Sequence, residues 1–352
     1  MTPDTPAALG YRMPAEWEPH TATWLAWPHN EDTWPGRLPQ VRDIFLDMIE
    51  ALHRHETVHL LVNDAATAEQ VDQRIRERGL EAGAINLHEM PTADAWLRDS
   101  GPIFLTGDDP QPTLAASAWR FNAWGGKYAD LQADAGLSQR IASRLGVRCF
   151  APGIVLEGGA IDVNGSGACL TTEQCLLHPN RNPDLQRADI ECHLGATLGV
   201  CHVIWLGRGI AGDDTDGHVD DVARFVGPST VVCALETDPQ DANFAPLQDN
   251  LRRLRAATDE CGRSLDVVPL PMPGRVGSPQ ERLPASYANF YIANGVVLVP
   301  VYDHPNDDRA LRTLQDLFPG RRVIGIPCEP LVWGLGAIHC VTQQQPAVAG
   351  QS

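Results

Sequence analysis

ANFYIANGVVLVPVY, residues 288–302, holds two runs of apolar and β-branched residues separated by Asn294-Gly295. Asn-Gly between such runs signals a β-hairpin, because both residues tolerate the positive φ that a tight two-residue turn needs. A helical pattern follows over 306–317, and a short strand, RVIGIPC, follows over 322–328. The unit reads strand–strand–helix–strand.

Three more stretches read the same way. SGPIFL, TGDDPQP and TLAASAWRF span 100–121; LEGGAIDV, NGSG and ACLTT span 156–172; VDDVARFV, GPST and VVCAL span 219–235. The four turns centre near residues 108, 165, 228 and 294, so the steps are 57, 63 and 66 residues. Helical patterns follow the first three hairpins over roughly 130–145, 184–194 and 241–261, and HVIWLG is an example of the closing strand. Four units fill residues 98–328. The two ends of the chain supply parts for a fifth: AIHCVTQ near the C-terminus, then TATWLAWP, a helix over 39–54 and TVHLLV near the N-terminus. A closed ring of such units covers sheet edges that would otherwise be exposed. The expected fold is an α/β, five-bladed propeller of strand–strand–helix–strand repeats. It forms one domain over residues 1–352, with the first and last segments sharing a blade. A plain α+β sheet with similar hairpins fits the same spacing.

Composition narrows the function. The chain has 352 residues and a net charge of −18 with His neutral. So acidic a protein is not expected to bind nucleic acid, whereas an acidic cleft concentrates a small cation. No apolar run approaches the ~20 residues of a membrane span. The start, MTPDTPAALGYRMP, lacks the basic and apolar regions of a secretory signal. The nine cysteines are odd in number and form no C-x-x-C. That argues against a disulfide framework or zinc ribbon, and for a cytoplasmic protein whose thiols act mostly as small hydrophobes.

Several polar residues share a position in the repeat. Asp99 lies nine residues ahead of its turn centre, Glu157 eight, and His218 and Asp220 ten and eight. Cys340 lies on the fifth unit. In a closed ring these equivalent positions meet near the axis. The set suits attack on a guanidinium. Asp99 and Asp220 each take a pair of its N–H groups, and Cys340 attacks its carbon. His218 protonates the departing ammonia and then activates water, while Glu157 holds the His ring. No metal or organic cofactor is required. Other readings stay open. Cys340 can be a packing residue. Asp99, His218 and Asp220 can form a metal site, although they match no ligand motif. Trp96 either lines the substrate chain or belongs to the core. GGAIDVNGSG opens no helix, so it is not a dinucleotide fingerprint. His339 would point to the opposite face of a strand from Cys340. The remaining cysteines show no comparable polar setting, and Arg98, Arg120 and Arg224 are expected to be structural.

At these residues the sequence resembles the agmatine deiminase family of the guanidine-modifying pentein superfamily. The similar stretches are MPAEWEPHTATWLAWP, DAWLRDSGP, WRFNAWGGKY, VLEGGAIDVNGSGACLTTEQCLL with RNP following, TDGHVDD, PASYANFYIANG and GAIHCVTQQQP, spread over residues 13–346. The resemblance implies a five-bladed pentein propeller. It also implies hydrolysis of agmatine to N-carbamoylputrescine and ammonia, in polyamine synthesis through putrescine. It places the nucleophile at Cys340, the acid/base at His218 and acidic site residues at Asp99, Glu157 and Asp220, with Trp96 in a W-x-R-D motif. A homodimer is the symmetric default. One stretch departs from the family form G-G-G-N-I-H-C: Leu335 and Ala337 replace a glycine and an asparagine. This opens the specificity for the substrate tail. The rivals are a deiminase of arginine at peptide termini and a catalytically silent scaffold of the same fold.

Overall fold

The structure is a computed structural model that describes residues 4–80, 82–107 and 113–348. It contains five small sheets. Ile103–Gly107 pairs antiparallel with Thr113–Ser117, which runs parallel to Arg148–Phe150. The pattern recurs in Ile161–Val163, Ala168–Thr172 and His202–Leu206. It recurs again in Ala223–Phe225, Thr230–Leu235 and Asp266–Pro271, and in Tyr291–Ile292, Val296–Val301 and Arg322–Pro327. The fifth sheet is built from both chain ends. Gln343–Pro346 pairs antiparallel with His20–Ala26, which runs parallel to Thr57–Val62. The expected turn at 108–112 lies outside the described residues.

A parallel neighbour demands a crossover, and a helix supplies one in each unit. These helices are Leu137–Leu145, Arg187–Leu198, Phe244–Ala256, Asp307–Leu317 and Leu38–Leu52. Leu38–Leu52 buries Leu38, Val41, Phe45, Met48, Ile49 and Leu52, the stripe that a 3.6-residue period aligns. Arg187–Leu198 starts a few residues later than the sequence pattern suggests. A capping box between Gln186 and Asp189 fixes its start, and Gly199, with φ of 73°, ends it. Two additions were not legible in the repeat. Tyr11–Arg12 extends the first sheet, and the helix Ala65–Glu77 leads to a fourth strand of the fifth sheet, Ile85–Glu89.

Hydrogen bonds join the five units in a closed circuit. Gly159 N donates to Asp99 Oδ1 between the first and second units. Arg224 donates to Asp162 between the second and third, and Asn289 to Asp221 between the third and fourth. His339 N donates to Asn289, and Arg98 donates to the carbonyl of His339, which returns to the first unit. Strands such as Val296–Val301 are buried on nearly every residue, because helices cover one face and the interior covers the other. No helix among the described residues is long and apolar enough to cross a membrane.

One local expectation is corrected. AIHCVTQ is not one strand. Ile338–Val341 forms a single helical turn, and the strand begins only at Gln343. His339 and Cys340 are therefore not held on opposite faces.

Candidate active site

Each chemical residue sits on or at the edge of one short helical turn just ahead of the strand that opens a unit. Asp99 lies in Leu97–Ser100, ahead of Ile103. Glu157 caps Gly158–Ala160, and His218 caps Val219–Asp221, the turn that contains Asp220. Cys340 lies in Ile338–Val341. The equivalent positions face one another, as the repeat spacing suggests. Gly159 shows how tightly they meet. A Cβ there would lie 2.5 Å from His218 Nδ1, 3.0 Å from Asp220 Oδ2 and 3.1 Å from Asp99 Oδ1.

Asp99 Oδ2 accepts from the Trp124 indole at 2.9 Å and lies 3.8 Å from His218 Nδ1. Glu157 Oε1 accepts from Arg181 Nε at 2.8 Å, while its Oε2 is 4.0 Å from His218 Nε2. Asp220 Oδ2 lies 2.7 Å from His339 Nδ1 and 3.8 Å from Cys340 Sγ. Asn289 Nδ2 donates to Cys340 Sγ at 3.2 Å. Three side-chain atoms of these residues are buried with no hydrogen-bond partner: Glu157 Oε2, His218 Nε2 and Asp220 Oδ1. Glu157 Oε2 and His218 Nε2 face each other at 4.0 Å, whereas Asp220 Oδ1 is an acceptor that a ligand N–H can satisfy.

The electrostatics follow from burial and crowding. Burial raises the Cys340 thiol well above its ordinary range, and Asp220, Asp221 and Asp99 add to the rise. Burial disfavours the His218 imidazolium, but Asp99, Cys175 and Glu157 outweigh it and hold the ring well above its usual pKa. Burial raises Asp99, and Asp220 and Glu157 reinforce it against the opposing His218. For Asp220, burial is opposed by the bond and charge of His339, and the carboxyl falls below its ordinary range.

A cavity of about 310 Å³ opens over Cys340 and Asp99. Trp96, Trp124, Tyr128, Trp333 and Leu335 line it, with Asp32, Asp130 and Asp214 among its polar groups. Trp96 belongs both to the core and to the cavity wall. It is 6% exposed, packs on Trp34 at 5.3 Å and lines the cavity.

The structure adds residues that sequence reasoning missed. Asn289, Trp124, Arg181, Glu16 and His339 all touch the centre or the groups that hold it. Asn289 was findable as the fourth unit's polar residue two positions ahead of its strand. The others act across long sequence separations and carry no local signal. Cys175 corrects a further expectation. It lies in a polar setting, its thiol raised by burial and opposed by His218. The Asp99–His218–Asp220 trio does not form the metal-type cluster found among the described residues. That cluster is Glu157, Cys175 and His218, whose ligand atoms lie within 4.8 Å of one another. The Arg181 guanidinium already neutralises this Glu157. Arg98 and Arg224 are structural as expected, both bound to Glu16 inside the protein.

Five units that bring a cysteine, a histidine and carboxylates to one buried centre define a class of proteins that act on guanidine groups. Residues 12–346 match the family model of the Porphyromonas-type peptidyl-arginine deiminases, and the chain belongs to that family. It is 39% identical to an agmatine deiminase of Stutzerimonas stutzeri, with 97% of each chain covered. It is 38% identical to an agmatine deiminase of Pseudomonas fluorescens, again with 97% of each covered. Among solved structures, agmatine deiminase of Enterococcus faecalis superposes with a TM-score of 0.90 at 36% identity, covering 98% of both chains. A cysteine-to-serine variant of C. jejuni agmatine deiminase with substrate bound superposes at 0.86 and 28% identity, covering 96% of both.

Proposed function

We propose that this protein is an agmatine deiminase, which hydrolyses agmatine to N-carbamoylputrescine and ammonia. One observation carries the reading. The Cys340 sulfur lies 3.8 Å from Asp220 Oδ2, and Cys340 and Asp99 both line one cavity. A guanidinium offers five N–H donors and a positive charge, which suit the carboxylates of Asp99 and Asp220.

In the substrate-free site the thiol is protonated, because burial and three carboxyl groups disfavour a thiolate. A guanidinium held by Asp99 and Asp220 offsets those charges and favours loss of the thiol proton to solvent, which leaves the thiolate as the substrate arrives. The sulfur then adds to the guanidinium carbon. The adduct collapses with loss of ammonia, whose proton comes from His218. Water attacks the remaining thiouronium and gives a proton to His218. Cleavage of the C–S bond releases the ureido product and restores the sulfur. Glu157, itself fixed by Arg181, stabilises the imidazolium between these steps. Trp96 forms part of the wall along the substrate chain.

The residues lining the cavity include no Lys or Arg among those described. A substrate α-carboxylate would meet carboxylates and find no cation. Strong preference for agmatine over free arginine follows. The family model's description favours a second reading, deimination of arginine in peptides. We also place the protein in the cytoplasm, a reading supported by nine unpaired cysteines. It acts as one domain over residues 1–352, as a homodimer and without a cofactor, in the route to putrescine.

The deciding experiment gives the purified protein agmatine, arginine and short arginine-ended peptides, with ammonia and ureido product measured together. Agmatine is expected to have the highest kcat/KM by ~10⁴ over arginine. Equal or greater efficiency on the peptides would overturn the agmatine reading and leave the deiminase chemistry standing.

A further inference from the structure

Leu335 occupies a backbone conformation that leucine rarely adopts. Its φ is 69°, in the left-handed region where a side chain crowds its own backbone. The residues on either side leave the loop no slack. A Cβ on Gly334 would lie 2.5 Å from Trp34 Nε1. A Cβ on Gly336 would lie 2.5 Å from Trp96 Cζ3 and 3.1 Å from Cys340 Cβ. Trp34 is itself tied down by a hydrogen bond to the Leu331 carbonyl, and Leu335 N donates to the Val332 carbonyl. The backbone of 334–336 is thus pressed against two indoles, with the nucleophile's own Cβ beside it. Glycine would suit position 335 without strain. A strained residue persists where its surroundings hold it, and such residues cluster at ligand clamps.

Leu335 lines the cavity together with Cys340 and Trp96, and as a half-buried apolar residue packs against the main core. We propose that Leu335 is a specificity-determining residue that sets the width of the cavity along the substrate chain. It restricts turnover to a guanidine carried on a slender, unbranched methylene chain. The inference rests on the proposed deiminase activity and concerns the shape that activity accepts. Charge alone does not supply this selection. The acids lining the cavity admit any cationic chain, branched or not, and discriminate only against anions. An apolar wall that cannot move discriminates by volume.

The test separates shape from charge. Argininamide has the guanidine, the chain and the amine of agmatine, plus one neutral carboxamide branch. Steady-state kcat/KM is measured for both compounds on the wild-type protein and on Leu335→Ala, Leu335→Gly and Leu335→Met. The wild type is expected to prefer agmatine. Leu335→Ala and Leu335→Gly are expected to shrink that preference at least ~10-fold, the discrimination that a few methylenes in a pocket provide. Leu335→Met, of similar volume, is expected to keep it. The Ala variant retains a Cβ and the constrained backbone, so agreement between Ala and Gly excludes loop flexibility as the cause. A preference unchanged within ~2-fold in both, on the same scale, would overturn this inference alone. Absence of turnover of every guanidine by the wild type would overturn the proposed function with it.

Discussion

The His339 ring bridges two buried acids: its Nδ1 lies 2.7 Å from Asp220 Oδ2 and its Nε2 lies 2.9 Å from Glu16 Oε2. Asp220 and Glu16 are both held below their ordinary pKa, so each presents a carboxylate acceptor to the ring. Asp220 Oδ1 is left without a partner, while Oδ2 also lies 3.8 Å from Cys340 Sγ. His339 is a positioning residue. Its contact fixes the orientation of the Asp220 carboxylate. His339→Ala is expected to lower kcat/KM ~100-fold, mainly through KM, which corresponds to ~3 kcal/mol for a charged hydrogen bond. His339→Gln, which restores a donor, should recover part of the loss. The bond to His339 helps hold Asp220 below its ordinary pKa. Removing it raises that pKa, so the acid limb of the kcat/KM profile should move to higher pH. A profile that does not move would make His339 a structural residue only.

Glu16 stands behind this bridge and accepts from both Arg98 and Arg224 in the interior. Glu16→Gln leaves two buried guanidinium groups short of a counter-charge. Breaking one side of a buried charge network costs ~3–5 kcal/mol. Thermal or denaturant unfolding should show this as a clear fall in stability, larger than that for either His339 variant.

The chemical assignments separate by variant. Cys340→Ala should retain its fold and lose activity by ~10³-fold or more, with Cys340→Ser nearly as poor. Asp99→Asn and Asp220→Asn should each lower kcat/KM by at least ~100-fold. A residue whose variant changes only Tm belongs to the scaffold.

The protonated resting thiol can be tested by alkylation. Burial and the carboxyls around Cys340 raise its pKa, so neutral iodoacetamide should label it slowly at pH 7 and faster into the alkaline range. A small cationic haloacetamidine brings its own charge to Asp99 and Asp220. It should label Cys340 at least ~10-fold faster at pH 7, one pKa unit's worth of thiolate. Asp220→Asn should remove the difference. Peptide mapping identifies the labelled cysteine.

His218 links pH to stability. Its folded pKa is raised well above the ordinary value, with burial opposing and Asp99, Cys175 and Glu157 prevailing. A raised pKa means that its stabilisation is complete below about pH 6.5, the unfolded value, and is lost as pH rises through the folded value. The Tm should therefore decline toward alkaline pH, and His218→Gln should reduce that decline.

The sequence by itself determined the repeating unit and the chemistry. Asn294-Gly295 between apolar runs, the helical periods after each hairpin and the step of about sixty residues are local signals, readable because backbone preferences and alternation are local. It also marked Asp99, Glu157, His218, Asp220 and Cys340 through their shared place in the unit. Tertiary structure alone decided how these groups are held. His339 and Cys340 are adjacent in sequence, and alternation in a strand would send them to opposite faces. In the single helical turn they adopt, both reach Asp220. Trp124 on Asp99, Arg181 on Glu157 and Asn289 on Cys340 join residues 25, 24 and 51 positions apart. No local propensity encodes such pairings, because they exist only once the units close on one another. Leu335 shows the same division: the sequence places a leucine between two glycines, but only the close approach of Gly334 to Trp34 and of Gly336 to Trp96 fixes its strained backbone in the wall of the cavity.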